Sequence, residues 1–143
     1  MARSTRLTVV ADTGPIYALI DASDAWHERV NSWWSRSTAK VVLPVTILAE
    51  VTHLLQTRIG PHAETAFVRA VTDGEFTIEP LDDEDLPRIA DVMHAYRDLP
   101  LGFVDASIVA IAERLEVREV LTTDRKHFGV VRPRHVRALL LLP

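Results

Sequence analysis

Asp12 follows the apolar run Leu7 to Ala11, Glu50 lies inside Leu48-Ala49-Glu50-Val51, Asp105 inside Phe103-Val104-Asp105-Ala106, and Asp124 follows Val120-Leu121-Thr122-Thr123. None of these acids has a basic neighbour on its apolar side. Burying an ionised carboxylate costs roughly several kcal/mol unless a partner or a metal neutralises it, so four acids set against core segments call for a shared cation. An all-oxygen set suits a hard ion, Mg²⁺ or Mn²⁺, which keeps waters and accepts phosphate oxygens in its remaining positions. The six histidines, at 27, 53, 62, 94, 127 and 135, show no HExxH or similar spacing, which disfavours zinc and reads most of them as surface or helix-face residues. The chain has no Cys, and neither a GxSxG nucleophile elbow nor a GxxxxGK[ST] phosphate loop occurs.

Each acid also has an ordinary reading. Asp12 can cap a helix, Glu50 can sit on a mixed helix face between Thr46, Ile47, His53 and Leu54, and Asp124 can cap a turn. Asp105 projects from an apolar stripe formed by Leu101, Ile108 and Val109 near a helix start, where the helix dipole favours an anion. Thr122, two residues before Asp124, offers a hydroxyl that can orient a ligand or water. One metal site explains all four acids together.

The elements that must position them alternate. Leu7 to Ala11 reads as a buried strand, and Asp12-Thr13-Gly14-Pro15 opens a helix carried on by Ile16, Leu19 and Ile20. After a turn at 21–24, a helix from Ala25 to Ser35 carries Trp26, Val30, Trp33 and Trp34, a set that suits either core or interface. Val41 to Leu43 is a strand ended by Pro44, followed by a helix from Val45 to Ile59 that contains Glu50 and a second from Pro61 to Thr72. Phe76 to Leu81 alternates as a strand. A helix from Asp82 to about Arg97 is broken by Leu99-Pro100-Leu101-Gly102, and Phe103 to Leu115 resumes it. Glu119 to Thr123 is the last clear core strand, with Val136 to Leu142 as an edge strand. Strands separated by helices imply βα units and a predominantly parallel sheet, whose ligand sites lie beyond the strands' carboxyl ends, where Asp12 and Asp124 fall.

A chain of 143 residues, 48% hydrophobic and 25% charged, is expected to form one soluble domain spanning 1–143. No apolar run approaches the ~18 residues that cross a bilayer, and the start Met1 to Arg6 leads into a stretch too short for a secretory leader, so a cytoplasmic protein is expected. A net charge of -4 gives no whole-molecule basic field, so a nucleic-acid partner must be held by metal or by local patches. One such patch, Arg118, Arg125, Lys126, Arg132, Arg134 and Arg137, is either a solvated surface or a phosphate-facing one.

The segments Val9-Val10-Ala11-Asp12-Thr13-Gly14-Pro15, Glu50 in a helix after a Val-Leu-Pro strand exit, Leu99 to Ala106, and Leu121-Thr122-Thr123-Asp124-Arg125-Lys126-His127-Phe128 together resemble the PIN-domain nucleases, specifically the VapC-type toxins of toxin–antitoxin pairs. The resemblance spans nearly the whole chain and keeps the family's order. Gly14 departs from it, standing where the family often has Ser. The resemblance implies a three-layer α/β/α sandwich around a mainly parallel sheet, Mg²⁺- or Mn²⁺-dependent endoribonuclease activity, a homodimer, and inhibition by a small VapB-type antitoxin. It implies that Asp12, Glu50, Asp105 and Asp124 hold one or two metals, that Thr13 and Thr122 support them by hydrogen bonds, and that Arg125 and Lys126 hold flanking RNA phosphates.

An unneutralised acid cluster is also a target for an Arg of a protein inhibitor, with the Trp26, Trp33 and Trp34 helix as apolar anchor. Two rival readings are a catalytically silent PIN-like scaffold that binds RNA or protein, and a phosphoryl-transfer enzyme or receiver domain. A haloacid-dehalogenase-type phosphatase wants Asp-x-Asp, and Asp12-Thr13-Gly14 lacks its second acid.

Overall fold

The computed structural model describes residues 6–143, and the segment 1–5 lies outside them. Five strands form one sheet: β1 (Thr8–Ala11), β2 (Lys40–Pro44), β3 (Thr77–Glu79), β4 (Glu119–Leu121) and β5 (Leu140–Leu142). Their order is β3-β2-β1-β4-β5 and every pairing is parallel. Between them run α1 (Thr13–Ile20), α2 (His27–Arg36), α3 (Val45–Arg58), α4 (Pro61–Thr72), α5 (Asp85–Ala95), α6 (Phe103–Leu115) and α7 (Arg125–Val130). Parallel strands require crossovers, and right-handed ones put the helices after β1 and β2 on one face and α5 and α6, which return the chain past β1 to β4, on the other. The result is the α/β/α sandwich. The direction of winding reverses between β1 and β4, so a crevice opens at their carboxyl ends, where Asp12 and Thr122 lie.

β1 shows why the centre of the sheet is apolar: Val9, Val10 and Ala11 are fully buried, as strands covered on both faces must be. Its ladder continues one residue past the strand, because the Asp12 N–H donates to Leu121 O at 2.8 Å and pins Asp12 beside β4. α6 runs through the core with Ala106 to Ala112 buried, and its small residues let it lie close against the sheet. It ends at Glu116 in the left-handed conformation.

Several boundaries differ from the sequence reading. The edge strand expected from Val136 pairs only from Leu140, since the His135 ring bonds to Val117 O at 2.7 Å and residues 134–138 bend across the end of the sheet. The helix expected from Asp82 starts at Asp85. That residue is 2% exposed, its carboxylate accepts the Asp82 N–H at 2.9 Å, and it meets Arg114 at 3.0 Å, so it is a buried ion-pair partner rather than a solvated dipole charge. The strand expected over 76–81 keeps only Thr77–Glu79, because Phe76 turns into an aromatic row, 5.5 Å from Trp34 and 5.8 Å from Phe67 between ring centres. α7 was read as part of a basic stretch and is instead a short helix.

Of the two roles open to the Trp-bearing segment, core packing is visible. Val30 is fully buried, Trp33 and Trp34 are half-buried against the core, and Trp26 lies under the guanidinium groups of Arg29 and Arg125 at 4.8 and 5.8 Å. Among the described residues no helix is long and apolar enough to cross a membrane.

Candidate metal centre

Asp12 ends β1 and caps α1. Its Oδ1 accepts the Thr13 N–H at 2.7 Å and its Oδ2 accepts the Thr122 hydroxyl at 2.9 Å. The Thr122 oxygen in turn accepts the Asp124 N–H at 2.9 Å, so one buried threonine ties the first acid to the last. Thr13, on the next residue of α1, donates its hydroxyl to Glu50 Oε1 at 2.7 Å and joins α1 to α3. A second hydroxyl pair, Thr46 with the fully buried Ser107 at 2.6 Å, fastens α3 to α6 one turn before Glu50 and two residues after Asp105. Asp124 caps α7, with Oδ1 accepting the His127 N–H at 2.9 Å.

The acids lie near enough to feel the charges of their neighbours. Asp12 carries the influence of the charges of Asp105 and Asp124, and Asp105 those of Asp124 and Glu50. Burial, reinforced by these like charges, pushes Asp12 up to about 6 against the opposing pull of its two hydrogen bonds. Asp105 is raised for the same reasons, first burial and then the Asp124 charge, with His127 acting the other way.

The four acids differ in burial, and Glu50 takes the surface position that its mixed helix face left open. Asp12 is buried at 8% exposure, Asp105 and Asp124 are half-buried, and Glu50 is exposed. Desolvation of Asp12 and Asp105, reinforced by the charges of their neighbours, is what asks for a cation there.

His127 was not singled out by the sequence. Its Nδ1 lies 2.5 Å from Asp124 Oδ2, and Asp105, Asp124 and His127 each offer one ligand atom within 4.8 Å of the others. The available signal was the spacing Asp124-x-x-His127 at a helix start, which puts the third residue of the helix back over its cap. The donor set therefore fits a divalent ion: two acids and one imidazole offer atoms within 4.8 Å of one another, and Asp12 and Asp105 are raised by burial and neighbouring charge. Arg125, expected at RNA phosphate, is engaged elsewhere. It donates to Leu141 O at 3.2 Å and Pro143 O at 2.6 Å and stacks on Trp26, bracing β5. Lys126 remains exposed. At Gly14 an added Cβ would come 2.4 Å from the Thr123 hydroxyl oxygen, so the space that a Ser would take there is filled by Thr123.

The raised Asp12 pKa makes a stability prediction. Between about pH 4 and pH 6 the folded chain holds a proton that the unfolded chain has released, so stability falls as pH rises through that window. At pH 7.5 without metal the deficit is at most about 3 kcal/mol, at about 1.4 kcal/mol per unit. Asp12→Asn removes the charge and disturbs one hydrogen bond worth about 1 kcal/mol. In chelator the variant is expected to be about 2 kcal/mol more stable at pH 7.5, with no such gain at pH 4. Thermal melts at the two pH values check this, and a variant less stable than the parent at pH 7.5 contradicts it.

A parallel α/β sandwich with acids gathered at its switch point defines a class of α/β proteins able to hold a divalent cation there. The PIN domain pattern matches residues 9–132, and the chain belongs to the PIN domain family. It is 30% identical over 125 residues to the ribonuclease VapC26 of Mycobacterium tuberculosis (strain ATCC 25618 / H37Rv), covering 87% of this chain and 93% of that protein. Its fold matches that of M. tuberculosis VapC20, a toxin that cleaves the sarcin-ricin loop, with a TM-score of 0.80 and 21% identity over 90% of this chain and 98% of that one. It also matches a chain of VapBC2 from Rickettsia felis, bound to a DNA fragment from its promoter, with a TM-score of 0.68 and 11% identity over 96% of this chain and 100% of that one.

Proposed function

We propose that this protein is a divalent-metal-dependent endoribonuclease, the toxin of a VapBC-type toxin–antitoxin pair, hydrolysing phosphodiester bonds in RNA. The observation that supports the reading is that Thr122 ties Asp12 to Asp124, Thr13 holds Glu50, and Asp105 lies beside Asp124. The 30% identity to a ribonuclease over most of the chain supports the substrate class.

In this reading Asp12, Glu50, Asp105 and Asp124 hold Mg²⁺ or Mn²⁺. Bound there, the ion supplies Lewis acidity toward an attacking water and the phosphodiester oxygens, and reverses the negative potential that would otherwise repel RNA. The chain's own work is positioning. Thr122 fixes the Asp12 carboxylate, Thr13 holds one oxygen of Glu50 and leaves the other free, and the α7 cap sets the angle of Asp124. Lys126 is the side chain left to meet a flanking phosphate. An antitoxin is the expected partner, with an Arg that pairs with the acids when no RNA is bound. We also assign a homodimer and a cytoplasmic site of action to it.

The test is cleavage of total RNA by the purified protein, expected with Mg²⁺ or Mn²⁺ and abolished by chelator. Sequencing the fragment ends after induced expression identifies the target. A protein that binds RNA but leaves it intact with both ions would be the silent scaffold instead.

A further inference from the structure

The metal reading treats the site as four carboxylates, but the tightest group of donor atoms includes a nitrogen. Asp105, Asp124 and His127 present atoms within 4.8 Å of one another, while Asp12, each of whose oxygens accepts one hydrogen bond, stands outside that group. The His127 imidazole is not free to leave. Its own backbone N–H is bound to Asp124 Oδ1 at 2.9 Å, its Nδ1 meets Asp124 Oδ2 at 2.5 Å, and its side chain is 26% exposed at the lip of the crevice. Neighbouring ligands of one octahedral ion with bonds of about 2.1 Å stand about 3 Å apart, so the Nδ1–Oδ2 pair needs only a small separation to occupy adjacent positions.

We propose that His127 is a direct ligand, forming with Asp105 and Asp124 a two-carboxylate, one-imidazole subsite that makes this protein prefer Mn²⁺ to Mg²⁺. Mg²⁺ takes oxygen donors and keeps its waters, and it gains little from imidazole. Mn²⁺ accepts carboxylate and imidazole together and tolerates the looser geometry of a site at the start of a short helix. Ligation uses the lone pair of a ring nitrogen, so the Nδ1–Oδ2 contact gives way when the ion enters. The inference rests on the metal-dependent reading above and adds to it which ion the chain selects and through which atom.

The experiment combines calorimetric titration of the full chain with Mn²⁺ and with Mg²⁺ and pulsed electron paramagnetic resonance of the Mn²⁺ complex. The parent is expected to bind Mn²⁺ at least about tenfold more tightly than Mg²⁺ and to show nitrogen modulation of the Mn²⁺ signal. His127→Asn keeps a donor for Asp124 and removes the ring. It is expected to lose the modulation and to bring the two affinities within about threefold, mainly through weaker Mn²⁺ binding. A Mn²⁺ complex of the parent without nitrogen modulation overturns the assignment even if the variant does not fold. So does equal weakening of both ions in the variant, which a residue that only steers Asp124 would produce. If neither ion binds the parent, the metal-dependent reading fails as well. If ions bind and support cleavage without nitrogen coupling, that reading stands and only the role of His127 falls.

Discussion

Replacing Asp105 with Asn is expected to lower RNA cleavage at least about a thousandfold at saturating Mn²⁺, equivalent to about 4 kcal/mol of transition-state stabilisation, while leaving the fold intact. Asp105 is half-buried in the first turn of α6, where its carboxylate faces Asp124 and Glu50 and accepts the Gly102 N–H. Asn keeps the shape and that acceptor but removes the charge opposite the ion. It also relieves the repulsion that raises the Asp105 pKa, so the variant should melt at or above the parent temperature in chelator. Loss of activity with undiminished stability is the pattern of a functional acid. Cleavage within tenfold of the parent in excess Mn²⁺, measured on the same RNA, would remove Asp105 from the reaction and with it the metal-centred reading of the crevice.

The acids proposed to carry that chemistry were legible because most of them sit at or near element starts, where sequence signals are strongest. Asp12 could be placed from a β-branched run followed by a cap and a Pro, and Glu50 from a helix that begins right after Pro44. The parallel sheet followed from the alternation of strand and helix. Strand order did not, because which edge of β1 receives β4 depends on how α5 and α6 pack rather than on any local pattern. Burial was read too generously for the acids, since helical periodicity shows which residues share a face and not how far that face lies from solvent. Glu50 is the clearest case: its stripe is half apolar, yet its carboxylate is exposed and held by a threonine from another helix.

The surroundings of His127 and Arg125 were not legible for a related reason. A run of cations after a strand looks alike whether it faces phosphate or braces its own fold. Only the capping geometry at Asp124 separates an imidazole turned into the crevice from a guanidinium turned onto Leu141 O and Pro143 O. Hydroxyl pairs such as Thr46 with Ser107 leave no sequence trace, although they fix the helices that hold two of the acids.

Removing the Arg114 guanidinium is expected to cost more stability than removing any other cation away from the crevice. Arg114 lies in the last turn of α6 and donates to Asp85 through Nε and Nη2, each at 3.0 Å, to Glu79 at 2.7 Å and to Pro80 O at 3.1 Å. These partners hold its pKa above the usual Arg value. Asp85 is 2% exposed, and in Arg114→Met its only remaining donor in this network is the Asp82 N–H. Stranding a buried carboxylate in this way costs about 3 kcal/mol or more, which for a chain of this size lowers the melting temperature by about 6 to 12 °C. Arg88, paired with Glu113 in two bonds at 2.7 and 2.8 Å, joins the same two helices but is more exposed, so Arg88→Met should cost about 1 to 2 kcal/mol. Urea denaturation of both variants tests the ranking. The double variant Arg114→Met, Asp85→Asn should recover most of the loss if the stranded charge is its cause. If it recovers nothing, the loss comes from packing of the Arg114 stem, and α6, which carries Asp105 at its opposite end, is held by apolar contacts rather than by the ion pair.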